Sequence, residues 1–370
     1  MYIYQKKEWP VFTWDREKLI PSLTRVTHRQ GRLLGRMEGL GFQLRAEATL
    51  QAMTLEIIKS NEIEGRTLDA NQVRSSIARR LGLDIAGLIP ADRDVEGVVE
   101  IILDATQNFK EPLTENRLWG WQSALFPSGR SGMHKIVVGA WRDNSIDDPM
   151  QVVSGTMGKE KVHFQAPDSK VLTKEMQLFV SWFNNNEEFH PIIKAAIAHL
   201  WFVTIHPFDD GNGRIARTIA DMQLTRADGT PQRFYSMSSQ IRLERKEYYE
   251  ILETIQKGSL DITEWLEWFL DCLERALIAA DEITGGVLQK ARYWDWLASK
   301  NLNARQRLLV NKVLDGFFGK LTSSKWAKIA KCSQDTALRD IQDLINQEIL
   351  EKEPGGGRST NYRLTQISTE

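Results

Sequence analysis

Residues 206–217, HPFDDGNGRIAR, bring together side chains suited to handling a polyphosphate beside a hydroxyl group. His206 can accept a proton near neutral pH, because imidazole titrates in that range when other side chains do not. Asp210 supplies a hard oxygen ligand of the type that holds Mg²⁺ together with substrate phosphates. The run therefore predicts a general base and a metal-binding carboxylate in one short segment.

The glycines and arginines of the same run are typical of an anion site at the start of a helix. Gly211 and Gly213 permit backbone conformations in which consecutive N–H groups converge on an anion, and Asn212 adds a side-chain donor. Arg214 and Arg217 are three residues apart, which places them on one side of a helix if IARTIADMQL is helical. Such a helix would direct its positive end at the anion. A Gly-Asn-Gly turn alone is usually only a helix connection, but this combination indicates a site in which all these groups bind one polyphosphate chain.

The run resembles the Fic family signature HxFx(D/E)GNGRxxR. Every fixed position is matched, by His206, Phe208, Asp210, Gly211, Asn212, Gly213, Arg214 and Arg217. The resemblance implies transfer of a nucleotide monophosphate, most often AMP from ATP, onto a Ser, Thr or Tyr hydroxyl of a target protein. It implies that His206 deprotonates this hydroxyl, which attacks the α-phosphate, and that Asp210 holds Mg²⁺ against the α- and β-phosphates.

The resemblance also implies roles for the remaining signature residues. Residues 211–213 would form the anion nest that, with Asn212, neutralises the growing charge. Arg214 would contact the β-phosphate and Arg217 the γ-phosphate, while Phe208 would anchor the loop in the core.

A second motif, SNEIEG at residues 60–65, fits the family's inhibitory pattern (S/T)xxxE(G/N) through Ser60, Glu64 and Gly65. Alone it would be weak evidence, because such a sequence is also a common helix end. In family members that carry the pattern, the glutamate pairs with the second arginine of the signature, here Arg217, and blocks productive seating of the γ-phosphate. A partly buried Arg–carboxylate pair has the strength for this role, so Glu64 is expected to act as a brake.

Residues 131–167 contain β-like pieces, KIVVGAWR, MQVVS and KVHFQAP, separated by turn-rich segments. The resemblance implies that a hairpin here, called the flap, holds the modified segment of the target by main-chain pairing. Val162, His163 and Phe164 have the alternation that such an edge needs. An ordinary surface hairpin is the alternative.

Helical patterns must position these motifs. AEATLQAMTLEIIKSN predicts a helix that delivers Glu64 at its end, and PIIKAAIAHLWFVTI predicts a core helix before the signature. His199 in that second helix has no carboxylate or cysteine at zinc-ligand spacing, so a packed core histidine is expected. KEYYEILETIQKGSLDITEWLEWFL indicates two helices, the first opened by Tyr248 and Tyr249. The resemblance makes either tyrosine a candidate contact of the adenine, although aromatic residues at helical spacing are more often core.

Residues 321–364 resemble a winged helix-turn-helix. Ser333 predicts an N-cap, Gly355 to Gly357 predict the wing turn, and the buried stripe is expected at Leu338, Ile341, Leu344 and Ile345. The usual inference is DNA binding, but the helix carries Asp335, Asp340 and Asp343 beside a single Arg339, and acidic groups repel phosphate. Basic residues that could still touch a nucleic-acid backbone are Lys325, Lys328, Lys331, Arg358 and Arg363. Protein docking or dimerisation is therefore favoured over DNA binding.

Composition frames these motifs without deciding between them. The chain has 370 residues, a formal net charge of −1 and two cysteines, Cys272 and Cys332. This charge gives no bulk argument for nucleic acid or an anionic membrane, and the separated cysteines suit a reducing compartment. The first residues do not read as a signal peptide, and no apolar run reaches the roughly 18 residues of a membrane span. A cytoplasmic protein without membrane contact is expected.

We therefore predict a mainly α protein: a Fic-type helical core with a β-hairpin flap, an N-terminal helical region and a C-terminal winged helix-turn-helix. The predicted divisions are residues 1–94, 95–285 and 286–370. The leading hypothesis is an autoinhibited protein adenylyltransferase that uses ATP and Mg²⁺ on an unidentified target protein, with self-modification and a homodimer left open. An AMP-removing hydrolase using the same residues, and a DNA-binding regulator with a nucleotide-sensing core, remain as alternatives.

Overall fold

A computed structural model describes residues 1–83, 88–145, 147–155, 159, 161–185, 188–314, 320–353 and 360–366. The fold is mainly helical, as predicted. Two compact units divide the chain, Met1–Thr284 and Gly285–Glu370. The three predicted regions with boundaries after residues 94 and 285 stay a prediction. Among the described residues, no helix combines the length and the apolar character needed to cross a membrane.

The first unit is built from helices around one apolar core. Their bounds are α1 (Arg16–Glu38), α2 (Phe42–Ile63), α3 (Ala70–Arg80), α4 (Arg93–Gln107), α5 (Glu115–Leu125), α6 (Leu172–Asn185), α7 (Pro191–Ile205), α8 (Asn212–Asp228), α9 (Met237–Leu243), α10 (Arg245–Gln256) and α11 (Thr263–Leu297), whose residues after Thr284 belong to the second unit. Short 3-10 helices occupy Ile3–Gln5 and Ser169–Val171. The predicted helix ending at Glu64, the core helix before residue 206 and the helix after the Gly-Asn-Gly turn are confirmed as α2, α7 and α8.

Helix α7 lies at the centre of this core. All its residues from Ile192 to Ile205 are buried, which explains its apolar character on every side. His199 is 1 % exposed and bonds the hydroxyl of Tyr248 at 2.9 Å, which confirms it as a core histidine. Helix α8 packs along α7, and the connection at residues 206–211 is held between these two buried helices.

Helices α4 and α5 approach each other closely at Gly97. A Cβ added there would lie 1.9 Å from the carbonyl oxygen of Ala124, so only glycine fits. Helix α5 ends at Leu125, and Phe126 follows it. A Cβ added to Gly211 would lie 3.0 Å from the ring of Phe126 and 3.1 Å from the side chain of Leu125, so the end of α5 lies against the loop before α8.

Two antiparallel hairpins accompany the helices: β1 (Arg130–Ser131) with β2 (His134–Lys135), and β3 (Gln151–Ser154) with β4 (Lys161–Gln165). The pieces MQVVS and KVHFQAP are confirmed as containing strands. The predicted β character of KIVVGAWR is wrong, because residues 136–142 form no strand. Their polar groups bond a side chain of α5 and the loop after α7 instead, which sequence alternation does not reveal.

The second unit contains α12 (Ala304–Leu314), α13 (Ser323–Ala330), α14 (Gln334–Asn346) and a hairpin of β5 (Leu350–Lys352) with β6 (Tyr362–Leu364). Ser333 caps α14 by accepting from the Thr336 N–H at 3.2 Å, as predicted. The predicted wing turn at Gly355 to Gly357 lies outside the described residues, as does Arg358. The assignment as a winged helix stays a prediction.

Two expectations for α14 are wrong. Leu338 is 44 % exposed and Ala337 is buried instead, whereas the predicted Ile341 and Leu344 are confirmed as buried and Ile345 is half-buried against the same core. Asp340 is not on an exposed acidic face: it is 4 % exposed and accepts from Arg305 at 2.7 and 2.9 Å. A partner on another helix neutralises this charge, which sequence spacing alone could not reveal.

Candidate active site

His206 ends α7 in the left-handed backbone region, with a φ of 52°. Its ring Nδ1 lies 3.2 Å from the carbonyl oxygen of Val203. Because a carbonyl only accepts, this contact places the proton on Nδ1 and leaves Nε2 with a free lone pair. Burial is the main cause that lowers the pKa of His206 to about 4, and the positive charge of Arg142 acts in the same direction. The imidazole is therefore neutral at pH 7 and able to take a proton at Nε2.

Residues 136–142 run beside the loop that follows His206 and fix its shape. Oδ2 of Asp209 accepts from the Val137 N–H at 2.8 Å. The ring of Trp141 lies 5.1 Å from that of Phe208, measured between centroids. Phe208 is fully buried, which confirms its expected anchoring in the core.

The Gly-Asn-Gly turn opens α8 and leaves the first N–H groups of that helix without a partner inside the helix. Gly211 has a φ of 93° and is the N-cap. The side-chain amide of Asn212 donates to the Phe208 carbonyl oxygen at 2.7 Å and accepts from the Phe208 N–H at 3.0 Å, while its expected role as a phosphate donor stays a prediction. Asn212 is 2 % exposed and closes the loop onto itself.

Arg214 lies buried beside this turn, with its guanidinium 5.0 Å from the ring centroid of Phe126. Burial lowers the pKa of Arg214 to about 10. Its Nε is buried and lacks a hydrogen-bond partner in the part of the chain that the structure describes. Leaving a charged donor buried without an acceptor is costly, so an anion bound here would remove a penalty as well as add a contact.

Arg217 and Glu64 meet directly. Nη2 of Arg217 donates to Oε1 of Glu64 at 2.8 Å and to the Ser60 carbonyl at 2.9 Å, while Nε donates to the Ser60 hydroxyl at 3.0 Å. Arg217 is 2 % exposed, and the side chain of Glu64 is 30 % exposed. Burial is the largest single effect on the pKa of Arg217 and acts to lower it, but Glu64, Tyr248 and Tyr249 together raise the pKa above its ordinary value.

The position of the Glu64 carboxylate follows from the end of α2. Glu64 caps that helix, and Gly65 turns the chain away with a φ of 76°. A Cβ added to Gly213 would lie 2.3 Å from Oε1 of Glu64. The carboxylate therefore sits against the first turn of α8, the place where a helix attracts an anion.

Asp210 is bonded to a residue of β1. Its Oδ2 accepts from the hydroxyl of Ser131 and lies 3.6 Å from Nη2 of Arg66, while Oδ1 accepts from the Gly211 N–H at 2.6 Å. No group of three or more His, Cys, Asp or Glu side chains is placed to hold a metal ion among the described residues. A lone carboxylate fits Mg²⁺, because that ion is often held by one or two carboxylates together with substrate phosphates. Mg²⁺ binding by Asp210 stays a prediction.

The two tyrosines of α10 have different surroundings. Tyr248 is 1 % exposed and bonds His199, so the expectation that it contacts the base is corrected. Tyr249 is half-buried, and its hydroxyl lies 3.4 Å from Oε2 of Glu64. Tyr249 therefore remains the candidate contact of the nucleotide.

The β3–β4 hairpin places the three residues predicted for target binding in different surroundings. Val162 is 39 % exposed, whereas Phe164 is 2 % exposed and packs against the ring of Tyr2. The ring of His163 bonds Ser154 and Glu253, both at 2.6 Å. In the described chain, β4 pairs with β3 alone, so its other edge has no strand partner. Pairing with a target stays a prediction.

Sequence reasoning missed Arg66, Asp209 and Arg142. Arg66 directly follows the inhibitory motif, and Asp209 is the variable residue beside Asp210 in the signature, so both positions could have been found by proximity. Arg142 gave no signal, because it lies in a segment that resembled a strand.

Comparison with known proteins gives two family matches. Residues 112–224 match the Fic/DOC family, and residues 2–83 match a domain of unknown function, DUF4172. Among curated relatives, the protein adenylyltransferase Fic of Aedes aegypti is 28 % identical over 236 residues, and that of Drosophila willistoni is 36 % identical over 236 residues. Each alignment covers 62 % of this chain and 42 % of the relative, so the chain spans less than half of these relatives.

Solved structures support the fold. A Fic family protein from Desulfovibrio desulfuricans superposes with a TM-score of 0.52 and 21 % identity, covering 95 % of this chain and 98 % of that one. A Fic domain-containing signalling protein from Bacteroides thetaiotaomicron gives a TM-score of 0.51 and 24 % identity, covering 71 % of this chain and 97 % of that one. At these identities the likeness concerns the fold alone.

Proposed function

Because residues 112–224 form a Fic/DOC family domain, we propose that this protein is an autoinhibited adenylyltransferase that moves AMP from ATP to a hydroxyl of a target protein. The names of the curated relatives support the reaction class. The acceptor is a Ser, Thr or Tyr side chain on a partner that remains to be identified.

The proton step follows from the state of His206. Nε2 takes the proton of the target hydroxyl as its oxygen forms a bond to the α-phosphorus. The bond from that phosphorus to the bridging oxygen breaks, and pyrophosphate leaves with the electron pair. The Val203 carbonyl supports this role because it keeps the other ring nitrogen protonated.

Donors at the start of α8 would neutralise the negative charge of the phosphates. Arg214, whose buried Nε lacks an acceptor among the described residues, would donate to the β-phosphate. The N–H groups of the first turn of α8 would donate hydrogen bonds to other oxygens of the ATP phosphates. Asp210 would hold Mg²⁺, which would supply further neutralising charge when bound.

One observation carries the autoinhibition: the Glu64 carboxylate lies against the first turn of α8 and is bonded to Arg217. An intramolecular anion in this position competes with the γ-phosphate for the same donors. If the contact costs the productive pose of ATP about 3 kcal/mol, activity falls on the order of a hundredfold.

The experiment compares wild type with Glu64→Gly, each incubated with α-labelled ATP, Mg²⁺ and host-cell lysate. We expect label on protein to rise about a hundredfold in the variant, because Arg217 is released to bind phosphate. Glu62→Gly is the matched control: Glu62 lies on the same segment but pairs with Lys59 at 2.9 Å and with Arg242 at 3.5 Å. It should leave the label at the wild-type level.

The outcomes separate the alternatives. Equal labelling in wild type and Glu64→Gly would refute the brake. If no protein receives label, each form is offered AMP-modified protein. Release of AMP by wild type, lost in Glu64→Gly, would instead favour a hydrolase in which Glu64 positions water. Dimer formation and self-modification stay open, and DNA binding stays an alternative that the sequence does not favour.

Replacement of Asp210 by asparagine is expected to raise the Mg²⁺ concentration for half-maximal labelling at least about tenfold in the Glu64→Gly background, because a neutral amide is a weak ligand for a hard cation. Asp209→Asn is the control, since its retained amide oxygen can still accept from Val137. The measurement is a Mg²⁺ titration of the initial rate. Equal shifts in both variants would speak against metal binding by Asp210.

A further inference from the structure

Arg142 is a buried arginine whose donors all reach oxygens of neutral groups. It is 2 % exposed. Nε donates to the His206 carbonyl at 2.8 Å, Nη1 to the side chain of Asn144 at 2.6 Å, and Nη2 to the Pro167 carbonyl at 2.5 Å. Its backbone N–H donates to the Pro207 carbonyl at 2.9 Å. Side chain and backbone thus hold two consecutive carbonyls just after α7.

The contacts of Arg142 support His206, the residue of this loop with a strained backbone. His206 is not glycine, yet it has a positive φ, a conformation that needs support from its surroundings. The peptide that follows His206 carries the carbonyl held by Arg142, so the guanidinium opposes rotation of that peptide. Rotation there would re-aim the imidazole.

The other end of the same guanidinium reaches the base of the β3–β4 hairpin. Pro167 comes two residues after β4, and the intervening Ala166 N–H donates to the Met150 carbonyl at 2.9 Å, just before β3. Asn144 in turn donates to the Asp148 carbonyl at 2.8 Å. Arg142 therefore joins the loop after α7 to both strands of the hairpin.

We propose that Arg142 is a positioning residue, which fixes the His206 imidazole relative to the β3–β4 hairpin so that base and target hydroxyl meet in register. This inference rests on the proposed function and on the expectation that the β3–β4 hairpin holds the modified segment of the target by main-chain pairing. Arginine suits the task because its planar fork holds several acceptors in one fixed geometry, whereas lysine offers a single point of attachment. Small displacements matter, since a misplacement of about 1 Å can cost about a hundredfold in rate.

The pKa of His206 distinguishes the role of the Arg142 charge from a role in packing alone. The charged groups that face the His206 ring are Arg142, Glu64 and Asp210, and burial is the main cause of the lowered pKa of His206. Removing the positive charge of Arg142 should therefore raise this pKa from about 4 toward its ordinary value of 6.5. Lysine in its place should leave the pKa nearly unchanged.

The experiment uses Arg142→Gln and Arg142→Lys, each in the Glu64→Gly background. Arg226→Gln is the matched control, because Arg226 also donates to backbone carbonyls, those of Phe109 at 2.7 Å and Glu111 at 3.1 Å. Burial lowers the pKa of Arg226 to about 10. Four quantities are measured: labelling rate, dissociation constant of ATP, melting temperature, and the His206 titration by NMR, assigned through His206→Ala.

We expect Arg142→Gln to lower the labelling rate about a hundredfold, to change the ATP dissociation constant less than twofold, and to raise the titration midpoint of His206. Arg142→Lys should keep the His206 titration midpoint of the Glu64→Gly parent but only part of its labelling rate. Arg226→Gln should lower the melting temperature alone. An unchanged labelling rate in Arg142→Gln would overturn the proposal. Changes of the labelling rate and of the His206 midpoint in Arg226→Gln as large as those in Arg142→Gln would also overturn it. If the Glu64→Gly parent transfers no label, the proposed function fails, while an unmoved midpoint in a folded Arg142→Gln would still refute the role of Arg142.

Discussion

In the Glu64→Gly background, replacement of His206 by alanine is expected to reduce labelling at least about a thousandfold. Proton transfer by a positioned side chain typically contributes 10²–10⁴-fold, roughly 3–5 kcal/mol, and alanine leaves no group to receive the hydroxyl proton. The geometry makes His206 the candidate for this step, because its Nδ1 is committed to Val203 and Nε2 is free.

The measurement is the initial rate of label transfer at saturating ATP, with the ATP dissociation constant determined separately. ATP binding should change little, since His206 acts on the acceptor hydroxyl rather than on the nucleotide. His28→Ala serves as the control, because His28 is an exposed histidine on α1. Retention of more than about a tenth of the rate in His206→Ala would exclude His206 as the base.

Replacement of Gly97 by alanine is expected to destabilise the first unit by about 3 kcal/mol or more. The added methyl group would lie 1.9 Å from the Ala124 carbonyl, and a backbone group cannot swing aside as a flexible side chain can. Overpacking of a core usually costs about 1–3 kcal/mol, and a clash with backbone belongs at the upper end of that range. Helices α4 and α5 must separate to relieve it.

Gly120→Ala on α5 is the control, because a Cβ there has no atom within 4 Å. Alanine in an open helical position should stabilise the protein by up to about 1 kcal/mol. Denaturant unfolding of both variants gives the comparison, and loss of stability in both would mean that helix packing is not the cause. Gly97→Ala should also weaken ATP binding, since Leu125 and Phe126 at the end of α5 fill the space where a side chain of residue 211 would lie.

Local patterns predicted the elements that hold the site. Apolar periodicity gave α2 and α7, and the Gly-Asn-Gly turn gave the start of α8, because each depends on neighbours in sequence. The contact between Arg217 and Glu64 joins residues 153 apart, and only the resemblance to a family pointed to it. The roles of these residues remain predictions.

Tertiary contacts decided what the patterns could not. Residues 136–142 resembled a strand, but their polar groups bond α5 and the loop after α7 rather than a neighbouring strand. Tyr248 was a candidate for the nucleotide, but a hydrogen bond to His199 keeps it in the core. In both cases the deciding partner lies far away in sequence, on an element whose position only the fold determines.

The anchorage of Glu64 at the end of α2 makes its carboxylate a tethered competitor. A tethered group acts at an effective concentration that the chain geometry sets, so dilution does not weaken it. If the closed arrangement outweighs the open one about a hundredfold, the apparent dissociation constant of ATP rises by the same factor. The inhibited fraction of the protein would then respond to whatever moves the last turn of α2, and would not depend on the concentration of the protein.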